Sequence, residues 1–244
     1  MFVGLLGAVL GVVLGPFLAG LTLSVPAGDP VLAKRWWRGG QASPRRVGVV
    51  SGLAAVALGA VAGAVGAEPQ LPAYLWLAAV GVTLAVIDIE TLRLPDRLTL
   101  PSYPVGLVLL AIPADWPALG RAVLAAAVTG AAAFLLALLA PRGGLGFGDV
   151  KLLGVLGAAT GLWLGLEVEL TAFVLVALYA PARMAYEGRL LQLLGNSAAL
   201  LVNRLLPKAR RRSVPEALLT SLRFGPAVFL ATLVVTLARL WGAR

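Results

Sequence analysis

Long apolar runs, broken at intervals by charge, proline or glycine, dominate this chain. They fall roughly at Val3–Val25, Val47–Ala67, Ala73–Ile89, Leu98–Ile112, Ala118–Ala140, Leu152–Leu166, Leu170–Tyr186 and Phe224–Trp241. A helix crosses the hydrocarbon core of a bilayer in about 20 apolar residues. The pattern therefore predicts an all-α, polytopic membrane helix bundle of about eight transmembrane helices. The fourth and sixth runs are short and are expected to be tilted, buried among neighbours or partly interfacial. The first run has no basic stretch ahead of it and is interrupted by Gly and Pro, so it reads as a retained span and not as a signal peptide.

Composition agrees. Of 244 residues 60% are apolar and 13% charged, and mean hydropathy is +0.94. A soluble domain of this length has too little interior to hide that surface, whereas a bilayer accepts it. Residues 1–244 read as one integral membrane domain. The chain has no cysteine and no histidine. That excludes disulfides, thiol nucleophiles, Cys-ligated zinc, Ser-His-Asp triads and the HExxH metalloprotease motif. Acid–base chemistry falls to Asp, Glu, Lys and Tyr, and no metal site is expected.

The net charge is +9, and its distribution explains it. Of the 20 basic residues, 17 fall in the connections Pro26–Arg46, Glu90–Arg97, Pro141–Lys151 and Arg183–Arg223. The alternate side holds only Arg121, Arg239 and Arg244. By the positive-inside rule the first set is cytoplasmic and both termini lie on the outer side. The basic excess thus reads as topology and attraction to anionic lipid headgroups, with no nucleic-acid partner. Within the basic loop 187–223, Leu pairs alternate with Arg204, Lys208 and Arg210–Arg212. Two readings stay open there, a solvated cytoplasmic loop and a short amphipathic helix that docks substrate or lipid.

Most of the 11 acidic residues have an ordinary place. Glu68, Asp115, Glu167 and Glu169 are expected in outer connections, and Asp29, Glu187 and Glu216 in cytoplasmic loops. Asp96 follows Pro95 in a turn and caps the next helix. Glu90 is expected at the interface near Arg93. Asp88 and Asp149 differ. Asp88 ends an apolar span, and Asp149 follows a glycine-rich stretch and opens the run from Lys151. Ionisable groups at membrane depth are costly and mark function. Both aspartates fall at the same end of their helices. Two adjacent carboxyls share a proton. One activates water while the other donates, which suits peptide hydrolysis. The plainer reading is a structural pair or a pair of helix caps. Gly146 and Gly148 leave room for an incoming peptide. The helix dipole would favour ionised Asp149, making it the more acidic member. Lys151 would pair with a carboxylate or a lipid phosphate.

The motifs go further. Asp88-Ile-Glu-Thr-Leu-Arg-Leu-Pro95-Asp96 and Gly146-Phe-Gly-Asp149-Val-Lys151-Leu152 are similar to the two motifs of type IV prepilin peptidases, the GxGD membrane aspartyl proteases. Phe224-Gly225-Pro226 and, loosely, Gly15-Pro16-Phe17-Leu18 are similar to further family segments. The resemblance is strongest over residues 81–166, which would form the catalytic core. It implies catalytic Asp88 and Asp149, with Pro95, Asp96, Gly146, Gly148 and Lys151 as supporting or substrate-binding residues. It further implies a multi-pass protein of the bacterial inner membrane that cleaves the short basic leader of prepilins or pseudopilins at the cytoplasmic boundary, without a cofactor.

Many members of that family carry a Cys-x-x-Cys domain in the first cytoplasmic loop and also methylate the new pilin N-terminus. Here residues 26–46 form a short basic loop without Cys. A bifunctional peptidase and N-methyltransferase, which would use S-adenosylmethionine, is the alternative. A non-enzymatic transporter or assembly factor is a third reading, disfavoured because transport sites usually lie near the bilayer midplane.

Overall fold

The computed structural model describes residues 2–30, 36–91, 94–111, 116–139, 146–188 and 224–242, with isolated positions between 191 and 202. Among these residues eight continuous α-helices form: α1 (Phe2–Ala27), α2 (Pro44–Val65), α3 (Leu71–Thr91), α4 (Asp96–Ala111), α5 (Trp116–Leu139), α6 (Phe147–Thr160), α7 (Leu162–Tyr186) and α8 (Phe224–Gly242). A single 3-10 turn, Trp36–Arg38, precedes α2. Each predicted apolar run except the sixth thus lies largely within one helix. Five of them, α1, α2, α3, α5 and α7, contain stretches of 20 to 26 residues long and apolar enough to cross a bilayer. The remaining three are shorter or less apolar, and α6, at 14 residues, rises only about 21 Å, too little to cross alone.

Local chemistry sets the helix ends. Ser43 accepts a hydrogen bond from the Arg46 backbone N–H at the start of α2, with Pro44 behind it, the usual N-cap arrangement. The Pro95 carbonyl accepts from the N–H groups of Leu98 and Thr99 and starts α4. Gly161 separates α6 from α7 at φ +84°, a backbone angle that side chains disfavour. The expectation for Glu167 and Glu169 fails here. The break falls at Gly161 and not at the two acids, so both lie inside α7. Leu162–Leu166, read as the end of the sixth run, belongs to α7 because glycine, not charge, ends the preceding helix.

The core has two parts that meet on α3. Leu18, Leu21, Val50, Leu58, Ala79 and Val82 form one cluster between α1, α2 and α3. Val80, Leu84, Leu153, Leu156, Val168 and Val228 form the other between α3, α6, α7 and α8. The apolar stretch of α3 is 61% buried, against 22 to 33% for the other long helices. α3 is therefore the central helix. Large apolar side chains such as Val13, Val56, Leu138 and Leu178 remain exposed on the outer helices, as a surface solvated by lipid requires.

Contacts between helix ends show which ends lie together. Arg46 at the start of α2 pairs with Glu90 at the end of α3. Arg97 in the first turn of α4 donates to the Gly28 carbonyl just beyond α1. Lys151 at the start of α6 pairs with Asp96 at the start of α4. The described parts of the connections 26–46, 90–97 and 141–151 therefore gather at one end of the bundle, as the distribution of basic residues requires. Most of the basic loop 187–223, Asp115, Arg93 and Glu216 lie outside the described residues.

Candidate active site

Asp88 sits one turn from the end of the central helix and is buried, with 6% of its surface exposed. Asp149 stands in the first turn of α6. Both line one open cavity of about 770 Å³ at the end of the bundle where the basic connections gather. Ile87, Leu94 and Phe147 make its walls apolar, while Gly146 and Gly148 present backbone to it. Pro95 and Asp96 lie along its edge. A smaller cavity of about 50 Å³ between α3, α6 and α8 has no carboxylate in its lining. Its hydroxyls at Thr99, Ser102, Thr160 and Thr232 are spent on backbone carbonyls four residues back.

Asp149 lies in the turn ahead of the apolar part of α6, outside the five membrane-crossing stretches. Its Oδ2 accepts a hydrogen bond of 3.1 Å from the Gly146 N–H. This ties the carboxyl back over the start of its own helix and fixes its direction. Burial pushes the carboxyl up from 3.8 to about 7, the nearby charge of Asp88 adds to the rise, and the Gly146 N–H only partly opposes it. The expectation that the helix dipole keeps Asp149 acidic is therefore corrected. Desolvation and a like charge outweigh a single favourable N–H.

The glycines have a packing role besides the one expected of them. A Cβ on Gly148 would fall 2.7 Å from the Leu94 Cβ. Gly148 thus lets the start of α6 press directly against the residue that precedes Pro95. The close approach brings the two motifs together, and Gly148 also lines the cavity. At Gly146 a Cβ would meet the Asp149 carboxylate at 3.1 Å.

Lys151 settles on Asp96, with Nζ 2.6 Å from Oδ1, and lies 5.6 Å from the centre of the Phe147 ring. The Lys151 carbonyl accepts from Tyr103 Oη at 2.5 Å. Both contacts bind α6 to α4. Glu90 pairs with Arg46 of α2 at 2.5 Å, because the end of α3 packs beside the start of α2; Arg93, near which it was expected, lies outside the described residues.

Sequence reasoning missed Val25 and Pro26, which line the cavity from the last turn of α1. The run was read as ending at Val25, with Pro26 opening a loop. Gly28, with φ +82°, was the available signal, since a glycine in this conformation commonly follows a helix end.

Residues 73–181 match the sequence model of the type IV leader peptidase family. The match begins in α3, ends in α7 and contains both aspartates and both motifs. No curated protein and no solved structure matches the chain.

Proposed function

We propose, from the peptidase-family match over residues 73–181, that this chain is an aspartic endopeptidase of the membrane boundary with Asp88 and Asp149 as its catalytic pair. The observation that carries the reading is the shared cavity. Two carboxyls from different helices face one open space, close enough for the charge on one to raise the proton affinity of the other.

Such a pair holds one proton between them. As a peptide enters, the ionised carboxyl takes a proton from water while the water oxygen attacks the scissile carbonyl carbon. The protonated carboxyl gives its proton to the carbonyl oxygen, leaving a neutral gem-diol. On collapse the ionised carboxyl takes a proton from one gem-diol hydroxyl as the C–N bond breaks, the protonated carboxyl gives its proton to the departing amine, and the pair again holds one proton. Gly146 orients Asp149 through its N–H, and the Lys151–Asp96 pair with Pro95 holds α4 beside α6. No metal or cofactor enters this scheme.

The substrate in this proposal is the basic leader of a prepilin or pseudopilin, cut at the cytoplasmic face of the bacterial inner membrane. The basic connections that gather around the cavity support that side of the membrane. Their charge also favours anionic headgroups nearby. The test is leader cleavage of a prepilin in liposomes containing the purified protein, read by mass spectrometry. Asp88→Asn and Asp149→Asn are each expected to lower the rate by a factor on the order of 10²–10⁴ while membrane insertion persists. Processing at the unmodified rate in either variant would overturn the assignment.

A further inference from the structure

The catalytic cavity is completed by residues outside the segment that matches the leader peptidases. Val25 and Pro26 belong to the last turn of α1, well before residue 73, where the match begins. Val25 is buried and Pro26 exposed, so Pro26 offers its ring to the cavity while Val25 anchors the turn in the core.

This turn is held from both sides. One turn before it, Thr22 is buried and accepts a hydrogen bond of 2.7 Å from Arg46 Nη1. The other nitrogen of the same guanidinium, Nη2, reaches Glu90, two residues beyond Asp88. Arg46 thus links α1 to the helix that carries a catalytic carboxyl. Just after the turn, the Gly28 N–H bonds to the Val25 carbonyl and the Asp29 N–H to the Ser24 carbonyl, closing the helix end. Arg97 Nη1 then donates to the Gly28 carbonyl at 2.6 Å. Arg97 follows Pro95 and Asp96, which also border the cavity. Each arginine therefore grips α1, or the residue just beyond it, with one donor and belongs, or is bonded, to an element of the catalytic cavity. A guanidinium, with its fixed fork of donors, suits such bridging.

We propose that the last turn of α1 is the wall against which substrate residues beside the scissile bond rest, and that Arg46 and Arg97 are positioning residues that set where this wall stands. The inference rests on the peptidase reading above. Pro26 touches substrate, whereas the two arginines act only through α1 and α3. Their loss therefore shifts substrate affinity and leaves the proton chemistry of the aspartates in place.

The test is steady-state cleavage of two leader peptides in liposomes, one with a bulky residue next to the scissile bond and one with alanine there. Pro26→Phe is expected to raise KM for the bulky substrate about tenfold more than for the alanine one, with kcat little changed. Arg97→Gln is expected to raise KM for both about tenfold with an unchanged pH profile. Arg97→Lys should recover most of that loss, because a carbonyl acceptor needs only one donor. Equal effects of Pro26→Phe on both substrates, an unchanged KM in Arg97→Gln, or no recovery in Arg97→Lys would each overturn the inference. Failure of the unmodified protein to cleave, or cleavage that survives Asp88→Asn, would instead overturn the peptidase reading beneath it.

Discussion

Lys151 and Asp96 form an ion pair across the start of two helices, Nζ to Oδ1 2.6 Å. Each belongs to a different motif, Asp96 to that of Asp88 and Lys151 to that of Asp149. The Asp96 side chain is 59% exposed, so water screens the attraction. Lys151→Gln should therefore cost at most about 1 kcal/mol of stability and leave leader cleavage within about threefold. Thermal unfolding in detergent and the liposome assay check both halves. A far larger loss of cleavage at unchanged stability would show that the ammonium itself meets the substrate.

The raised proton affinity of Asp149 sets a pH dependence. A pair that needs one proton loses activity once the second carboxyl ionises. Cleavage is expected to decline on the alkaline side with an apparent pKa near 7. The stability consequence has a definite sign. A carboxyl raised from 3.8 to about 7 binds its proton more tightly in the folded protein than in the unfolded chain. Its contribution is complete below about pH 4 and is lost as pH rises through about 7. Asp149→Asn, which cannot ionise and still accepts from the Gly146 N–H, should therefore gain thermal stability relative to the unmodified protein as pH climbs from 4 to 8. Parallel melting curves with no growing gap would contradict the assignment.

Gly148 offers a geometric test. Gly148→Ala places a methyl 2.7 Å from the Leu94 Cβ, so the start of α6 must shift. Overpacking of this kind costs about 1–3 kcal/mol, and a displacement of about 1 Å at a reacting group can cost on the order of 10²-fold in rate. Because the clash is with Cβ, Leu94→Ala should not rescue the variant, whereas Leu94→Gly should recover part of the activity. Rescue by the alanine would mean that the contact is made elsewhere on the leucine.

Glu169 lies inside α7 with 4% of its surface exposed and no hydrogen-bond partner for either carboxyl oxygen among the described residues. An unpartnered buried polar group costs about 1–3 kcal/mol. Glu169→Leu, of similar bulk and apolar, is expected to raise the thermal midpoint in detergent and leave leader cleavage unchanged. A lower midpoint, or lost cleavage, would reveal a partner or a duty for this acid.

How much of this was legible beforehand differs from element to element. The apolar runs gave the helices because hydropathy over about 20 residues is a local property that lipid reads directly. The two motifs gave Asp88 and Asp149, and the basic residues correctly grouped three connections at one end. The α6–α7 break was misread because two acids looked like a stronger stop than one glycine. In a packed bundle the backbone angle at Gly161 decided the turn, and Glu169 was carried inside.

The linear pattern of residues is enough to specify a membrane bundle, its helix order and two carboxylates worth suspecting. The company they keep comes from helix packing. Leu94 against Gly148, Lys151 on Asp96, Glu90 on Arg46, and Val25 and Pro26 at the cavity wall all join residues distant in the chain. Such pairs depend on how helices rotate and pack, which no single helix records in its own pattern. Packing also shifts the proton affinity of Asp149. The helix start that seemed to favour an ionised Asp149 is outweighed by burial and by Asp88, neither of which exists until α3 and α6 meet.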